Sequence, residues 1–359
     1  MTTVFSSLAP VEGRAALRPA VGVWLIAVAL LVAAMVTLGG LTRLTGSGLS
    51  ITEWHPVTGV IPPLGDSAWQ AEFAKYRRIP QYALENRGMS LADFQGIYWW
   101  EWTHRLLGRI VGFVFLVPFV VFVALGAIAR AKIPRMVVLF ALGGLQGVVG
   151  WWMVTSGLET RVSVSQYRLA IHLGIAILLF GALLWTALEY LRRTPVPSLL
   201  HRGGKPLAWS LVALVYLQML LGALVAGLHG GLIYNTWPSM NGRLVPEDAF
   251  ASHPWWINPF ENPALAQFDH RLGAYAVAIL AGILWLSARR TPTSTAVRAS
   301  TSAVVAVTLI QIALGIATLV NLVPIALAAL HQATAVALFA AALWNAFEVS
   351  RSTYPAPSA

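Results

Sequence analysis

The chain alternates long uncharged apolar runs with short charged or Pro- and Gly-rich breaks. The runs lie at roughly 20–41, 107–129, 136–155, 169–188, 207–228, 271–288, 299–320 and 324–346. Each is close to the ~20 residues an apolar helix needs to cross a bilayer core. The last two form one uncharged run of 49 residues, Ala299 to Phe347, which Asn321-Leu322-Val323-Pro324 divides into a hairpin. Only helices and closed barrels satisfy backbone groups in lipid, so the pattern predicts an all-α polytopic membrane protein with eight transmembrane helices. The first run carries no charge from Pro19 to Thr42. It is longer than a signal-peptide core and reads as a retained first helix.

Composition supports this class: 57% of the 359 residues are hydrophobic and 11% are charged, against about a quarter charged in soluble chains. The net charge of +10 would suit nucleic acid, but its placement points to topology. With the N-terminus in the cytoplasm, the inside segments hold thirteen basic and three acidic residues, and the remainder holds eleven of each. The positive-inside rule then predicts cytoplasmic termini; a bacterial inner membrane is the expected setting, with a mitochondrial inner membrane as the alternative. The plan is a cytoplasmic segment 1–19, a four-helix half 20–190, a cytoplasmic linker 191–206, a second four-helix half 207–347 and a cytoplasmic tail 348–359. The long outer loops, 42–100 and 229–268, are rich in Trp, Pro and Gly. They read either as a lid or as interface anchors. There is no cysteine, which excludes disulfides, thiolate-ligated haem and iron–sulfur clusters.

The halves resemble each other. The second span opens on Glu101-Trp102-Thr103-His104-Arg105-Leu106 and the sixth on Gln267-Phe268-Asp269-His270-Arg271-Leu272. Gln146 and Gly150 in the third span match Gln311 and Gly315 in the seventh, and His172 in the fourth matches His331 in the eighth. Four helices per half make these parallel repeats: two tandem four-helix bundles related by a pseudo-two-fold axis along the membrane normal. His104, His172, His270 and His331 fall on the even-numbered helices, at the outer end and at similar depth. Ionisable groups within spans usually face the bundle interior. Two histidines per half, without an acidic cluster, suit axial ligation of one haem iron.

Arg105 and Arg271 follow their histidines and are candidates for haem propionates, with interface snorkelling as the alternative. The glycines admit a large planar ligand or simply close helix packing. His55, His201, His229 and His253 have no repeat partner and are not expected to ligate iron. Glu101, three residues before His104 and therefore on the same helix face, is replaced by Gln267 in the other half. A carboxyl group beside a haem can move protons and an amide cannot, so the difference points to one reactive site and one permanent electron-transfer site. The alternative is a helix-terminus charge.

Together with Gly39-Gly40-Leu41-Thr42-Arg43-Leu44-Thr45 and Tyr234-Asn235-Thr236-Trp237-Pro238, these motifs resemble haem A synthase of the mitochondrial and alphaproteobacterial type, from about residue 20 to 347. The resemblance implies an oxidoreductase that converts the C8 methyl of haem O to a formyl group by successive hydroxylations, giving haem A for terminal oxidases. It implies His104 and His172 as ligands of the substrate haem, Glu101 as the essential carboxylate, and His270 and His331 as ligands of a resident haem b. Haem O synthase and oxidase-assembly factors are the expected partners, and a homo-oligomer is compatible. Some members carry an outer-loop cysteine pair; this chain has none. A di-haem b cytochrome relaying electrons from quinol explains the histidines but not Glu101 against Gln267. A transporter explains the repeat but not the histidine pairs.

Overall fold

The computed structural model describes residues 11–192 and 201–351. Parts of the predicted N-terminal segment, linker and cytoplasmic tail lie outside the described residues, as does the side chain of His201. The helices are α1 (Val11–Leu44), α2 (Asp66–Tyr76), α3 (Pro80–Leu84), α4 (Leu91–Ala124), α5 (Ile133–Thr155), α6 (Gln166–Leu191), α7 (His201–Gly227), α8 (Asn258–Glu261), α9 (Pro263–Arg290), α10 (Thr295–Val320) and α11 (Ile325–Ser350). Eight are long and apolar enough to cross a membrane, and there is no strand among the described residues.

Two helix starts differ from the apolar runs. α4 begins at Leu91, where Ser90 accepts from the Asp93 N–H and Asp93 accepts from Ser90 in a capping box. α9 begins at Pro263, capped by Asn262, whose side chain accepts from the Ala264 and Leu265 N–H groups. Both helices thus project beyond the apolar zone, and His104 and His270 lie well inside them rather than at their mouths. α4 also stops earlier than its run, because Gly126 adopts φ +67° and closes a Schellman motif: the Ala127 N–H reaches the Phe122 carbonyl at 2.9 Å. The predicted hairpin between α10 and α11 is present. The Val323 N–H reaches the Thr318 carbonyl at 2.8 Å, with Leu322 and Val323 both at positive φ.

In the first half α1 packs on α4 and α6, and α5 closes the ring between them; in the second, α7 packs on α9 and α11, and α10 closes it. The halves meet through α1 on α11, α6 on α7 and α6 on α11. These four central helices carry the core. Val21, Leu25, Val28 and Val32 on α1 recur at helical spacing against Ile177 and Leu183 of α6, Leu211 of α7 and Ala342 of α11. α4, α5, α9 and α10 turn apolar side chains such as Phe113, Val138, Ile279 and Leu309 outward, as lipid-facing helices do.

The end of the bundle opposite the histidines repeats as well. Trp185 donates to Glu189 at 3.0 Å and Trp344 donates to Glu348 at 3.2 Å, each one turn along its helix. Glu189 also holds Lys132 at 3.0 Å and Arg135 at 2.8 Å, which ties the α4–α5 connection to α6. Glu348 holds Arg192 at 3.5 Å and Arg351 at 3.8 Å.

The first outer loop has its own core: Leu49, Ile51, Trp69, Phe73, Tyr76 and Ile79 pack on Phe94 and Tyr98 of the α4 extension. It is a packed layer with a core of its own.

Candidate functional site

Each of the four histidines rests on a glycine of the preceding long helix. A Cβ at Gly39 would lie 3.0 Å from Cε1 of His104, and one at Gly150 3.1 Å from Cε1 of His172. In the second half a Cβ at Gly222 would lie 3.1 Å from Cε1 of His270, and one at Gly315 2.8 Å from that of His331. Real Cβ contacts are rarely so close, so glycine is what lets each imidazole lie against its neighbour. The sequence leaves the roles of Gly150 and Gly315 open between ligand approach and helix packing. They seat the histidine rings, and Gly39 and Gly222 do the same on α1 and α7.

The structure brings the histidines together in pairs, one per half. His270 and His331 have ring centroids 6.4 Å apart and planes at 82°. His104 lies within electrostatic range of His172. The Nδ1 atoms of His104, His172 and His331 are buried without a partner. His55 lies apart, bonded to Glu53 at 3.0 Å in the exposed outer loop. His229 sits at φ +53° in the turn after α7, with its pKa lowered by burial and by the Arg43 charge.

Glu101 and Gln267 occupy equivalent places and grip their outer loops with opposite chemistry. The buried Glu101 carboxylate accepts from Ser50 Oγ at 2.8 Å, the Ile51 N–H at 2.9 Å and Arg105 at 2.6 Å. The Gln267 amide instead donates to the carbonyls of Gly230 at 2.7 Å and Ile233 at 2.6 Å, and accepts from Arg271 at 2.8 Å. A carboxylate is acceptor-only, so the first loop must turn donors toward α4 where the second turns carbonyls toward α9.

The two arginines are also engaged with their loops. Arg105 donates to the carbonyls of Ile51 at 2.8 Å and Glu53 at 3.0 Å, and Arg271 to that of Tyr234 at 2.8 Å. Both act as loop clamps, which neither the propionate reading nor the snorkelling reading anticipates. Arg105 also borders a cleft of 320 Å³ in the first outer layer, with Glu53, Glu72, Trp102 and Arg109. There the hydrogen bonds from Lys75 and His55 hold the Glu53 carboxyl below its usual range.

Among the described residues no group of three or more His, Asp or Glu side chains can hold a bare metal ion. A haem iron asks the protein for only one or two axial ligands, and the pairs fit that demand. The orphaned Nδ1 atoms, the glycine cradles and the 6.4 Å spacing all agree with it. Two bonds near the roughly 2.0–2.1 Å of a zinc–imidazole contact, plus two ring radii, account for such a gap.

Comparison with known proteins supplies the deciding observation. The family model described as cytochrome oxidase assembly protein matches residues 22–343. The chain belongs to this family. A haem A synthase of Parvibaculum lavamentivorans is 50% identical over 95% of this chain and 97% of its own length. Those of Rhodospirillum centenum and Paracoccus denitrificans are 49% and 48% identical over 94% and 91% of this chain. In this member of the cytochrome oxidase assembly family the match takes in all four histidines, their glycine seats and both loop clamps. The sequence motifs contain Gly39, Gly150 and Gly315, but Gly222 lies in no motif of its own. Its role is visible only once α7 is set against α9.

Proposed function

We propose that this chain is a haem A synthase, a multi-pass membrane oxidoreductase that converts the C8 methyl of haem O to the formyl group of haem A by successive hydroxylations. The supporting observation is a pair of glycine-seated histidine sets of which only one has a carboxylate three residues before its first histidine, on a chain half identical to haem A synthases over almost its whole length. His104 and His172 bind the substrate haem O, and His270 and His331 hold a resident haem b. When bound, the haem irons supply the oxygen and electron chemistry. The chain's own residues orient the porphyrin and manage protons. Glu101 is the proton-handling group: Oε2 accepts hydrogen bonds from the Ser50 hydroxyl and the Ile51 N–H, while Arg105 fixes Oε1. Gln267 has no proton to give at neutral pH and keeps the second site inert.

The charge distribution supports cytoplasmic termini, and with them two sites near the outer face of the inner membrane. Haem O synthase and oxidase-assembly factors are the partners this chemistry calls for, because haem O is too hydrophobic to diffuse through water. The test is the pigment content of cells with and without the gene. Haem O should replace haem A when the gene is absent, and unchanged haem A would refute the assignment.

A further inference from the structure

The helices that seat His172 and His331 match at their seats and differ just beyond them. Gln146 and Gly150 of α5 correspond to Gln311 and Gly315 of α10, and the same register sets Gly143, Gly144 and Gly147 against Thr308, Leu309 and Ile312. Gly143 follows the buried Met136 and Leu139 by seven and four residues and precedes Gly150 by seven, so it lies on the helix face that seats His172. Yet Gly143 is exposed, and a Cβ at Gly143, Gly144 or Gly147 would meet no neighbouring atom within 4 Å. The same holds for Gly112 of α4, eight residues beyond His104. In the second half Thr308 fills the matching place, 3% exposed and donating to the Val304 carbonyl at 2.8 Å, and Ile312 is partly buried. α4 and α5 also pack more loosely on each other than α9 and α10 do. The open stretch has two ends. At one stand His172, with Nδ1 unpartnered, and Gln146, whose amide oxygen and nitrogen are both buried without a partner. At the other Phe140 stacks on Phe115 of α4, with rings 5.7 Å apart. Gly150 and Phe140 are separated by about 15 Å at 1.5 Å per residue.

We infer that the space between α4 and α5 takes the isoprenoid chain of haem O, and that Gly143 and Gly147 set the specificity of the first site for it. The inference rests on the assignment of substrate and resident haem proposed above. Haem O carries a hydroxyethylfarnesyl chain in place of a vinyl group of haem b: a hydroxyl next to the ring, then three isoprene units. Such a chain needs an apolar trough that begins beside the axial ligand and runs away from it along the bundle. Glycines on the ligand-facing side of α5 leave that trough, and the Phe115–Phe140 pair closes it. A haem without the chain needs no trough, and Thr308 and Ile312 fill the corresponding place. The hydroxyl both donates and accepts, and so does an amide; Gln146 has both capacities unspent, whereas Gln311 Nε2 stands 3.4 Å from His331 Nε2. Glycines four residues apart also suit contact with another helix. The outward face of α5, however, carries Val137, Val138, Leu145 and Val148, and Gly143 points away from it.

The test uses the purified full-length protein with its resident haem, whose low-spin signal reports folding. Haem O and haem b are each titrated in, and binding at the first site is followed by absorbance. Gly143→Thr combined with Gly147→Ile should weaken binding of haem O about 10- to 200-fold, the range over which an apolar pocket discriminates a single methylene. Binding of haem b at the same site should be unchanged. If the double variant loses the low-spin signal, Gly147→Ala decides by the same comparison, with a smaller loss for haem O alone. Equal losses for the two haems, or no loss for either, overturn the inference. So does a changed oligomeric state with the preference for haem O intact, which would give the glycines to a second copy of the chain. Haem O binding that survives His104→Ala overturns the assignment of the pairs instead, and the inference with it.

Discussion

Replacing Glu101 with glutamine is the sharpest probe of the first site, and the structure shows that it perturbs two things at once. It removes the proton-handling group, and it disturbs the anchor of the outer loop. Glutamine offers one acceptor oxygen where the carboxylate offers two. If that oxygen serves Ser50 and Ile51, the amide nitrogen faces Arg105 and the 2.6 Å ion pair is lost. Hydrogen bonds to charged groups are worth about 1.5–3 kcal/mol and neutral ones about 1 kcal/mol. Losing the Arg105 contact and weakening the other two therefore costs the loop roughly 2–4 kcal/mol of docking, or about 30- to 900-fold more frequent opening. Arg105 keeps the carbonyls of Ile51 and Glu53, so the loop is loosened and not released. Ser50→Ala separates the two effects, because it removes one 2.8 Å bond and leaves the carboxylate. The assays are hydrogen exchange over residues 45–62 and the haem composition of cells expressing each variant. Glu101→Gln should accumulate haem O or a hydroxylated intermediate, whereas Ser50→Ala should loosen the loop yet still make haem A. If Ser50→Ala abolishes haem A as fully as Glu101→Gln, the loop is the cause. Wild-type haem A from Glu101→Gln would remove the proton role altogether.

Gly315→Ala places a methyl 2.8 Å from His331 Cε1, and overpacking of about 1–3 kcal/mol should displace that ring. The readout is a weakened or shifted low-spin haem spectrum, and a wild-type spectrum would mean the cradle is not tight. His270→Ala should abolish the resident haem signal in a reduced-minus-oxidised spectrum, while His229→Ala, outside both pairs, should leave it intact. Reporter fusions at residues 70 and 245 should lie outside the cytoplasm; a cytoplasmic signal from either would overturn the topology. Because its partners depress the Glu53 pKa, its bonds to Lys75 and His55 add stability above the ordinary carboxylate range, and this is lost as pH falls through the lowered value. Protection of the amides of residues 53–62, after correction for the intrinsic pH dependence of exchange, should fall as the pH drops through the lowered carboxylate value.

The eight spans, the hairpin at Asn321 and the histidine repeat were legible because lipid imposes strict rules on charge and on unpaired backbone. The start of α4 was not legible from the same signal. An uncharged run marks the apolar zone, whereas a helix is ended by its caps, and Ser90 with Asp93 caps α4 sixteen residues before its apolar run begins. The Glu101 and Gln267 difference was visible as a pair of letters. Its physical content, donors in one loop against carbonyls in the other, depends on the path of segments about 35 to 50 residues away in sequence. The loop contacts of Arg105 and Arg271 were hidden for the same reason: an arginine at a helix end meets propionate, water or loop carbonyl alike in one dimension. Trp185–Glu189 and Trp344–Glu348 share a four-residue spacing that the sequence does carry, and their hydrogen bonds give that spacing its meaning.

The contact between α1 and α11 bears on whether the two halves of the chain could stand apart. Gln332, next to His331, reaches across to donate to the Val36 carbonyl at 2.7 Å, one turn from the glycine that seats His104. A side chain of one half thus braces the histidine seat of the other, and the helices that bury the molecule's largest core all lie along that seam. Neither half is a module. Residues 1–192 expressed alone would show lipid an α1 and an α6 shaped for protein neighbours, and a hybrid joining halves from two distant relatives would have to bring Gln332 and the turn around Val36 from one parent.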